Sequence, residues 1–583
     1  MNGINQSRTL PIPIEHRAFT VFANGEEVPR AQHLLAVSVS TVIDRIAYAR
    51  LAYQDGAPAE SDFRFSNATT LAPGAEVEIR AGSGDEQHTL FKGIVTRLEL
   101  KAREGSAPQL IVHCRHRAMK MTVGRKSAYF FDATDSDVLA QLFQQAGIEA
   151  EVADSRVRHE QLVQYDATDW DFCLLRAQAN GLSLITRGDR VLVQKPTLDG
   201  AAAIDLQFGA TVLEMDLRLE ARDQFKSVTS VTWDKADQAL AEAEAEDPGF
   251  TSPGNLGPQQ LAGVVGLDGV VARHPELASP EAQGWSDALW RRSQLNRVVG
   301  RVKCAGIGSI QAGDRVSLGG VGDRFSGHAL VTGVRHDFDL VQGWKTHLQV
   351  GGVETPEPDG AAMSAPKASG LLPGVNGLHV GVVVSNEDPA NEFRVRVAMP
   401  MVNPGDEGAW ARVACLDAGA DRGFFIRPEV GDEVILGFLN DDPRHAVVLG
   451  MLNSSAKPAP LQGSNDNHLK VFQTRSGMKW SFDDQRKSLK FETPAGNLLA
   501  LDESDGSIVL KDQHGNEIRM DASGIAIQSQ NALALKAAAN LNLEAGGSLH
   551  GTGGADVKLE GASGAELTSN AIARLRGSLV QIN

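Results

Sequence analysis

The chain has 583 residues, 42% of them hydrophobic, and a formal net charge of −17. This length predicts several domains, and the acidic balance argues against a nucleic-acid-binding protein, which would show a basic stripe. The 59 glycines and the 5% share of aromatic residues favour many turns and thin cores.

The sequence lacks the marks of an exported or membrane-spanning chain. It has no apolar run of about 18 residues, and its start, Met1–Arg8, lacks the charged-then-apolar order of a signal peptide. The four cysteines are widely separated and form neither a disulfide framework nor a CxxC site. We therefore expect synthesis in the cytoplasm, without a signal peptide.

An internal duplication is predicted within the first 355 residues. Leu71–Ile79 has a counterpart in Ile310–Leu318, and a Gly/Asp turn follows each. Further strand-like segments then follow in each unit: Leu90–Val95 and Leu110–Cys114 in the first, Ala329–Val334 and Thr346–Val350 in the second. Alternating strands in this repeated order predict two related small β-barrels.

Helical segments are predicted between these barrels. Two acidic stretches, Asp132–Leu139 and Asp166–Phe172, each open an apolar helical pattern. We interpret them as helix caps, with a cation site as the alternative, because Asp, Ser and Thr accept bonds from free N–H groups at helix starts. An Ala/Glu-rich helix is also expected at Ala239–Ala245, and another near Trp285–Arg297.

Candidate catalytic and metal sites are scarce. The cluster His113-Cys114-Arg115-His116 is the nearest to a metal site, but successive strand residues alternate in direction, so its three candidate ligands do not share a face. No glycine loop leads to a Walker lysine, no His-Glu-x-x-His occurs, and no carboxylate pair is marked as a glycosidase site. We predict no catalytic residues, no cofactor and no metal.

Five short strands are predicted in about 75 residues of the third quarter of the chain. They are His379–Val384, Phe393–Met399, Trp410–Val413, the alternating Val434, Leu436 and Phe438, and Ala446–Met451. The turn Asn440–Pro443 joins the last two into a hairpin. This number of strands is typical of an OB-type barrel.

The last sixty residues repeat every eight positions. Apolar or small residues form i, i+2 pairs, which is the strand period, and Gly-rich corners separate the pairs. A helix does not fit, because eight residues at 100° each advance 80° beyond two turns. The large apolar members are Ile525, Ile527, Leu533, Leu535, Leu541, Leu543, Leu549, Val557, Leu559, Leu567 and Leu575. Stacked short strands are predicted, although the period alone does not choose between one solenoid and several chains on a shared axis.

The octad repeat and the barrel hairpin together resemble the VgrG and phage hub-and-tail-spike family. The barrel motif is carried by Pro428, Val430, Gly431, Asp432, Val434, Asp442, Pro443 and Gly450. The segments Gln164–Phe172 and Ala179–Leu182 are also similar to that family. The resemblance implies a mainly β, multidomain homotrimer, in which the duplicated barrels give pseudo-sixfold symmetry and the octads form a triple-stranded β-helix. The expected domains are a hub at 1–358, a linker at 359–374, an OB-fold at 375–456 and a needle at 457–583.

The function implied by the resemblance is that of a structural spike rather than an enzyme. Such a spike sits at the tip of the inner tube of a contractile injection system, contacts inner-tube and baseplate proteins, and transiently meets the target membrane. We favour an extracellular phage-tail-like particle over the type VI system. The alternatives are a tail-associated glycan-binding hydrolase, for which no catalytic domain separates the OB-fold from the needle, and a solenoid-stalk adhesin, for which an export signal would be expected.

The end of the octad repeat predicts a docking site. The next pair would fall on Gln581 and Asn583, while apolar residues shift to Leu579, Val580 and Ile582. We expect a closing segment that binds a PAAR-type tip cap, as in related spikes that lack their own metal tip.

Overall fold

The computed structural model describes residues 18–29, 33–83, 86–234, 237–250, 253–266, 269–274, 277–352, 367, 374–402, 405 and 407–582. The chain divides into two compact units. The first comprises Met1–Gly377 with Phe438–His445, and the second comprises Leu378–Gly437 with Ala446–Asn583. Most of the predicted linker at 359–374 lies outside the described residues.

The first unit holds the helices and most of the long strands. Its helices are α1 (Arg64–Asn67), α2 (Asp135–Gln145), α3 (Asp169–Ala179), α4 (Pro258–Val265) and α5 (Ser279–Leu295). Its strands are β1 (Ala18–Ala23), β2 (Glu26–Glu27), β3 (Leu34–Val42), β4 (Tyr48–Gln54), β5 (Glu76–Ser83), β6 (Glu86–Arg103), β7 (Ser106–Arg115), β8 (Lys126–Thr134), β9 (Glu149–Val152), β10 (Arg158–Ala167), β11 (Ser183–Arg187), β12 (Arg190–Gln194), β13 (Ile204–Gln207), β14 (Val212–Leu219), β15 (Val228–Asp234), β16 (Ala239–Glu244), β17 (Val270–His274), β18 (Val298–Ala305), β19 (Arg315–Gly319), β20 (Gly327–Asp339) and β21 (Gly343–Val350).

The strand order of the first predicted copy is repeated in the second. The sequence β3-β4-β7-β6-β5 of the first copy repeats as β14-β18-β21-β20-β19 in the second, and every neighbour in both copies is antiparallel. Each copy has its own apolar core. The copies are joined edge to edge by β20 and β3, so both belong to one 13-stranded sheet.

The turn that opens β5 in the first copy recurs before β19 in the second. Gly74 and Gly313 both have positive φ, +98° and +89°, which L side chains rarely adopt. The N–H of Gly74 donates to the Val95 carbonyl at 2.8 Å, and the N–H of Gly313 donates to the Val331 carbonyl at 2.8 Å. The same hydrogen bond at the same turn makes the two copies structurally equivalent.

The segment that separates β14 from β18 includes one wrong prediction. The Ala/Glu-rich stretch Ala239–Ala245 is not a helix, because Ala239–Glu244 forms β16, antiparallel to β15. Ala243 and Ala245 are buried while Glu242 and Glu244 are exposed, and this period of two outweighs the helical preference of Ala and Glu. The helix expected near Trp285–Arg297 is present as α5.

The acidic stretches before α2 and α3 are helix caps, as predicted. Thr134 Oγ1 accepts from the Asp137 N–H at 3.1 Å, and Asp137 Oδ2 accepts from the Thr134 N–H at 3.1 Å, which forms a capping box. Thr168 Oγ1 accepts from the Asp171 N–H at 3.1 Å.

The second unit contains the predicted five-stranded barrel. Its strands are β22 (His379–Ser385), β23 (Val395–Ala398), β24 (Ala409–Val413), β27 (Glu433–Phe438) and β28 (Ala446–Met451). They close in the order β22-β23-β24-β28-β27. A short hairpin, β25 (Ala418–Gly419) and β26 (Arg422–Gly423), follows β24 and precedes β27 in the chain.

A seven-stranded antiparallel meander follows the barrel in the second unit. Its strands are β29 (Leu469–Gln473), β30 (Lys479–Asp483), β31 (Ser488–Glu492), β32 (Leu498–Asp502), β33 (Ser507–Lys511), β34 (Glu517–Asp521) and β35 (Gly524–Gln528). This meander was not predicted, and it lies within the segment 457–583 expected to form the needle; Ile525 and Ile527, predicted at the start of the octads, lie in its last strand, β35. No helix in the described part of the chain is long and apolar enough to cross a membrane.

Candidate functional site in the C-terminal segment

One face of the meander carries two continuous apolar rows. In each row every residue lies opposite the next across the strand pairs. Row one consists of Phe482, Leu489, Leu501, Ile508, Met520 and Ile525. Row two consists of Trp480, Phe491, Leu499, Leu510, Ile518 and Ile527. Cross-strand apolar pairs of this kind stabilise a sheet, but only when the face is covered.

The two rows lead directly into the octad repeat. They end on Ile525 and Ile527, the first octad pair, and Leu533 and Leu535 follow eight residues later. Upstream, successive pairs are separated by 9, 10, 9, 10 and 7 residues, because each hairpin turn has its own length. A search for a constant period therefore misses the meander, whereas a search for recurring i, i+2 apolar pairs finds it.

The face with the two rows is concave and open. A groove of about 690 Å³ runs along row two and is lined by Phe491, Leu499, Leu510, Ile518 and Ile527, with Leu533 at its lower end. Members of both rows, among them Trp480, Phe482, Ile508 and Leu510, are exposed in the single chain. An exposed apolar face of this length marks an interaction surface.

The octad segment beyond the meander is not paired into a sheet, and residues 529–582 carry no assigned strand. Its first residues bond back to the meander, with the Gln530 N–H donating to Asn516 Oδ1 at 2.8 Å, whereas bonds further along, such as Thr568 Oγ1 to Glu566 Oε1 at 2.9 Å, are local. All the predicted core residues from Leu533 to Leu575 are exposed. Backbone and apolar groups left open in this way require a neighbouring chain or coil.

The turns of the meander are closed by aspartates. The Asp512 carboxylate accepts from the His514 and Asn516 N–H groups at 2.9 and 2.8 Å, and Asp521 accepts from the Ser523 N–H at 2.8 Å. The hydroxyl of Ser523 and the Arg519 guanidinium lower the pKa of Asp521 to about 2. The Asn516 amide lowers the pKa of Asp512. These carboxylates are therefore ionised turn formers.

Most of the predicted OB motif residues lie in the barrel of the second unit. Val434 is fully buried in β27, Gly450 lies in β28, and the Pro428 carbonyl accepts from the Asn386 amide at 2.8 Å. The N–H of Gly431 donates to the Val383 carbonyl at 2.7 Å, and Asp432 Oδ2 accepts from the Glu429 N–H at 2.9 Å. Val430 is exposed. These contacts are those of a structural loop.

Asp442 and Pro443, the other two motif residues, belong to the turn at Phe438–His445, in the first unit. Asp442 Oδ1 accepts from Arg444 Nε at 3.0 Å, and Oδ2 accepts from Arg444 Nη2 at 2.6 Å. The paired guanidinium lowers the pKa of Asp442 to about 2. This part of the motif therefore forms an ion pair, between Asp442 and Arg444, at a turn.

The predicted cap-docking tip is exposed. Leu579, Val580, Gln581 and Ile582 all lie on the surface of the single chain, and Asn583 lies outside the described residues. The tip remains a prediction.

The histidine and cysteine cluster at the end of β7 is divided between the core and the surface, and its Cys114 belongs to the first core. Cys114 is fully buried, and burial raises its pKa to about 12. His116 Nδ1 accepts from the Ala118 N–H at 3.1 Å, while His113 Nε2 lies 3.3 Å from Glu99 on the sheet surface. Within the described residues, no group of three or more His, Cys, Asp or Glu is placed to hold a metal.

Family models match three parts of the chain. The model of the Alg8 N-terminal domain matches residues 14–339, more than half of the chain. The type VI secretion system/phage-baseplate injector OB domain matches residues 379–452, and the phage baseplate V C-terminal trimerisation domain matches residues 488–583.

Individual relatives are distant. The chain is 28% identical over 159 residues to the type VI secretion system spike protein VgrG3 of Vibrio cholerae, and the match covers 26% of this chain but 15% of that relative. A tail protein from Neisseria meningitidis MC58 is 15% identical, with a TM-score of 0.43 over 58% of this chain and 97% of its own. A component of the E. coli type VI secretion system is 13% identical, with a TM-score of 0.37 over 74% of this chain and 99% of its own.

The matched domains, the duplicated hub and the closed barrel lead to one assignment. The chain belongs to the family of the Alg8 N-terminal domain and, through its OB and trimerisation domains, to the VgrG-like spike proteins of phage tails and type VI secretion systems.

Proposed function

We propose that this protein is the trimeric central spike of a contractile injection system and that it pierces the target envelope mechanically. The observation that carries the proposal is the open apolar face of the meander, which continues without interruption into exposed octads. The trimerisation domain match covers residues 488–583, most of that surface.

Two further copies of the chain are the partners that we propose for this surface. The two rows of each meander would face the other two chains, and the octads would wind around a shared axis as a triple-stranded β-helix. Closing the strands on each other removes lateral edges and lets backbone hydrogen bonds run along the rod. Such a rod resists bending, which is what force transmission through an envelope requires.

The duplicated hub would adapt the needle to the inner tube and the baseplate. Two equivalent copies per chain present six similar units in a trimer, and such an arrangement suits a tube of sixfold symmetry. The tip from Leu579 to Asn583, of which Leu579, Val580 and Ile582 are exposed, would receive a PAAR-type cap, and contact with the target membrane would be transient. The protein would be made in the cytoplasm and incorporated into a particle, and we favour one released from the cell.

This role needs no catalysis. The barrel motif residues are engaged in loop and turn contacts, and the chain passes from the barrel at Met451 to the meander at Leu469 within a short connection. The protein is proposed to act as a structural element, without a bound cofactor and without nucleic acid.

Size-exclusion chromatography with light scattering on the full chain tests the proposal. A mass three times 62.2 kDa at micromolar concentration is the expected result. A monomeric mass would overturn it, because one chain leaves the entire needle surface open.

A further inference from the structure

The two hub copies can be aligned residue by residue at a matched bulge in β6 and β20. The pairing of β6 with β7 shifts at Thr96 and, through an extra residue in β7, again between Lys101 and Arg103, whereas the pairing of β20 with β21 shifts at Thr332. A bulge inserts one unpaired residue and so fixes the register of its strand. Residues 95–103 of β6 therefore correspond to residues 331–339 of β20.

A second matched bulge aligns β3 with β14. The pairing of β3 with β4 shifts at Leu35, and the pairing of β14 with β18 shifts at Leu213. Residues 36–42 of β3 therefore correspond to residues 214–220 at β14.

One junction between the copies is already present within the chain. The C-terminal half of β20 pairs antiparallel with β3, from Gly333 opposite Val42 to Asp339 opposite Ala36. The strands equivalent to β20 and β3 in the other copies are β6 and β14, and these two do not pair with each other in this chain. Within the described residues, the C-terminal half of β6 pairs with β7 on one side only, and β14 pairs along its length with β18, apart from one isolated bridge between Val212 and Phe208.

Equivalent side chains differ in their exposed fraction according to whether a neighbouring strand is present. His336 at the internal junction is 4% exposed, and its equivalent in β6, Leu100, is 50% exposed. Val37 at the same junction is 2% exposed, and its equivalent in β14, Met215, is 39% exposed. The same positions of the same fold are thus buried where the junction is made and open where it is not.

We infer that β6 of one chain pairs antiparallel with β14 of a second copy of the same chain, and that this pairing repeats the β20–β3 junction between hubs. The inference rests on the proposed trimer. A junction that joins two different edges is head-to-tail, so it can close into a ring of three chains.

Transferring the internal register to these edges gives seven facing pairs. They are Arg97 with Glu220, Leu98 with Leu219, Glu99 with Arg218, Leu100 with Leu217, Lys101 with Asp216, Ala102 with Met215, and Arg103 with Glu214. Every charged residue faces the opposite charge, and every apolar residue faces an apolar one. This register was fixed by the bulges alone, so the complementarity is an independent observation in its favour.

A slip of one residue would destroy the match. It would place Lys101 opposite Leu217 or Met215, and it would turn the apolar residues of one strand to the opposite face. In the single chain the charges of β6 contact each other instead, with Glu99 3.4 Å from Lys101 and 3.5 Å from Arg97, and Glu214 contacts Lys303 at 2.8 Å. These surface contacts are exchangeable.

Disulfide trapping in the full chain tests the register. All variants carry Cys415→Ser, because Cys415 is exposed while Cys114, Cys173 and Cys304 are buried. The test variant adds Lys101→Cys and Asp216→Cys, which face each other across the inferred junction. The control adds Arg97→Cys and Glu214→Cys on the same two strands, at positions about 20 Å apart in that register.

We expect covalent dimers and trimers from the test variant under mild oxidation, with a yield at least fivefold above the control. A trimeric mass by light scattering with no excess over the control would overturn the strand pairing and leave the proposed function standing. A monomeric mass would overturn the proposed function, and with it the pairing that rests on it.

Charge exchange in the test variant provides a second measurement. Glu99→Arg should lower the cross-linking rate about two- to fivefold, because it places two arginines opposite each other. Adding Arg218→Glu should restore the rate, since the charges are then exchanged rather than removed. A rate that Arg218→Glu lowers further would contradict the facing pair.

Discussion

Trp480 of β30 stacks on Phe491 of β31 in the meander, with ring centroids 5.5 Å apart and ring planes 12° apart. Both rings lie in row two, and both are exposed in the single chain. Two stacked aromatic rings on an open face stabilise little until a neighbour excludes water from them. The pair therefore belongs to the trimer core that we propose.

A charge in row two should prevent assembly. Leu510→Asp places a carboxylate in the proposed core, which should cost more than about 2 kcal/mol per chain. Lys490→Asp is the matched control, because Lys490 lies between Leu489 and Phe491 in β31 and alternation along the strand turns it to the opposite face. Light scattering should give monomers for the first variant and trimers for the second. Trimers from both would show that the apolar face is not an interface.

The octads should respond in the same way. Leu543→Asp and Leu559→Asp introduce buried unpaired charge three times around a shared axis, whereas Ala562→Asp changes a corner. We expect the two leucine variants to lose assembly, as judged by the elution volume, and the corner variant to keep it. Equal behaviour of all three would argue against the octad register.

Removing the tip should separate assembly from cap binding. Deletion of residues 577–583 leaves every large apolar octad member in place, so the trimer should persist. Pull-down of a PAAR-type protein should be lost, because exposed strand ends supply the groups that a cap can pair with. Cap binding that survives the deletion would exclude this site.

Acid should weaken the meander through its turn aspartates. The pKa of Asp521 is lowered from 3.8 to about 2, so its contribution is complete above about pH 4 and is lost as the pH falls through 2. The melting temperature followed by circular dichroism should fall across this window. Asp521→Asn should start from a lower melting temperature and fall less steeply, and an unchanged slope would exclude Asp521 as a contributor.

The purified protein should not hydrolyse peptidoglycan. The barrel motif carboxylates Asp432 and Asp442 are held in loop and turn contacts, whereas a glycosidase needs an acid and nucleophile pair. A turbidity assay on cell walls should match buffer alone. Clearing that disappears on mutation of one carboxylate pair would favour the hydrolase alternative.

The barrel and the duplication were predictable because local signals agree with the tertiary structure. The turn Asn440–Pro443 and the alternating apolar residues on either side identify the hairpin, and the motif before β5 recurs before β19. Both features depend on short stretches of sequence and can therefore be recognised in one sequence.

Two elements and one inferred contact could not be predicted from the sequence, for physical reasons. The Ala/Glu composition of Ala239–Glu244 favours a helix, but pairing with β15 and the burial of Ala243 override that preference. The meander escaped because its turns differ in length, so its apolar pairs keep no constant period. The inferred pairing of β6 with β14 involves two strands more than 100 residues apart, and it can be recognised only by transferring the register of β20 with β3.

In the junction within the chain, β3 carries Ser38 and Ser40; at the equivalent positions of β14, the edge inferred to pair with a second chain, stand Asp216 and Arg218. The two halves of one chain meet at a high effective concentration, so their pairing needs no selective charge. An edge that must find another molecule among cellular proteins has no such advantage. Alternating charges there speed encounter, reject foreign strands and admit one register. In a duplicated chain, the junction within the chain can thus serve stability alone, while the equivalent junction between chains also selects the correct partner.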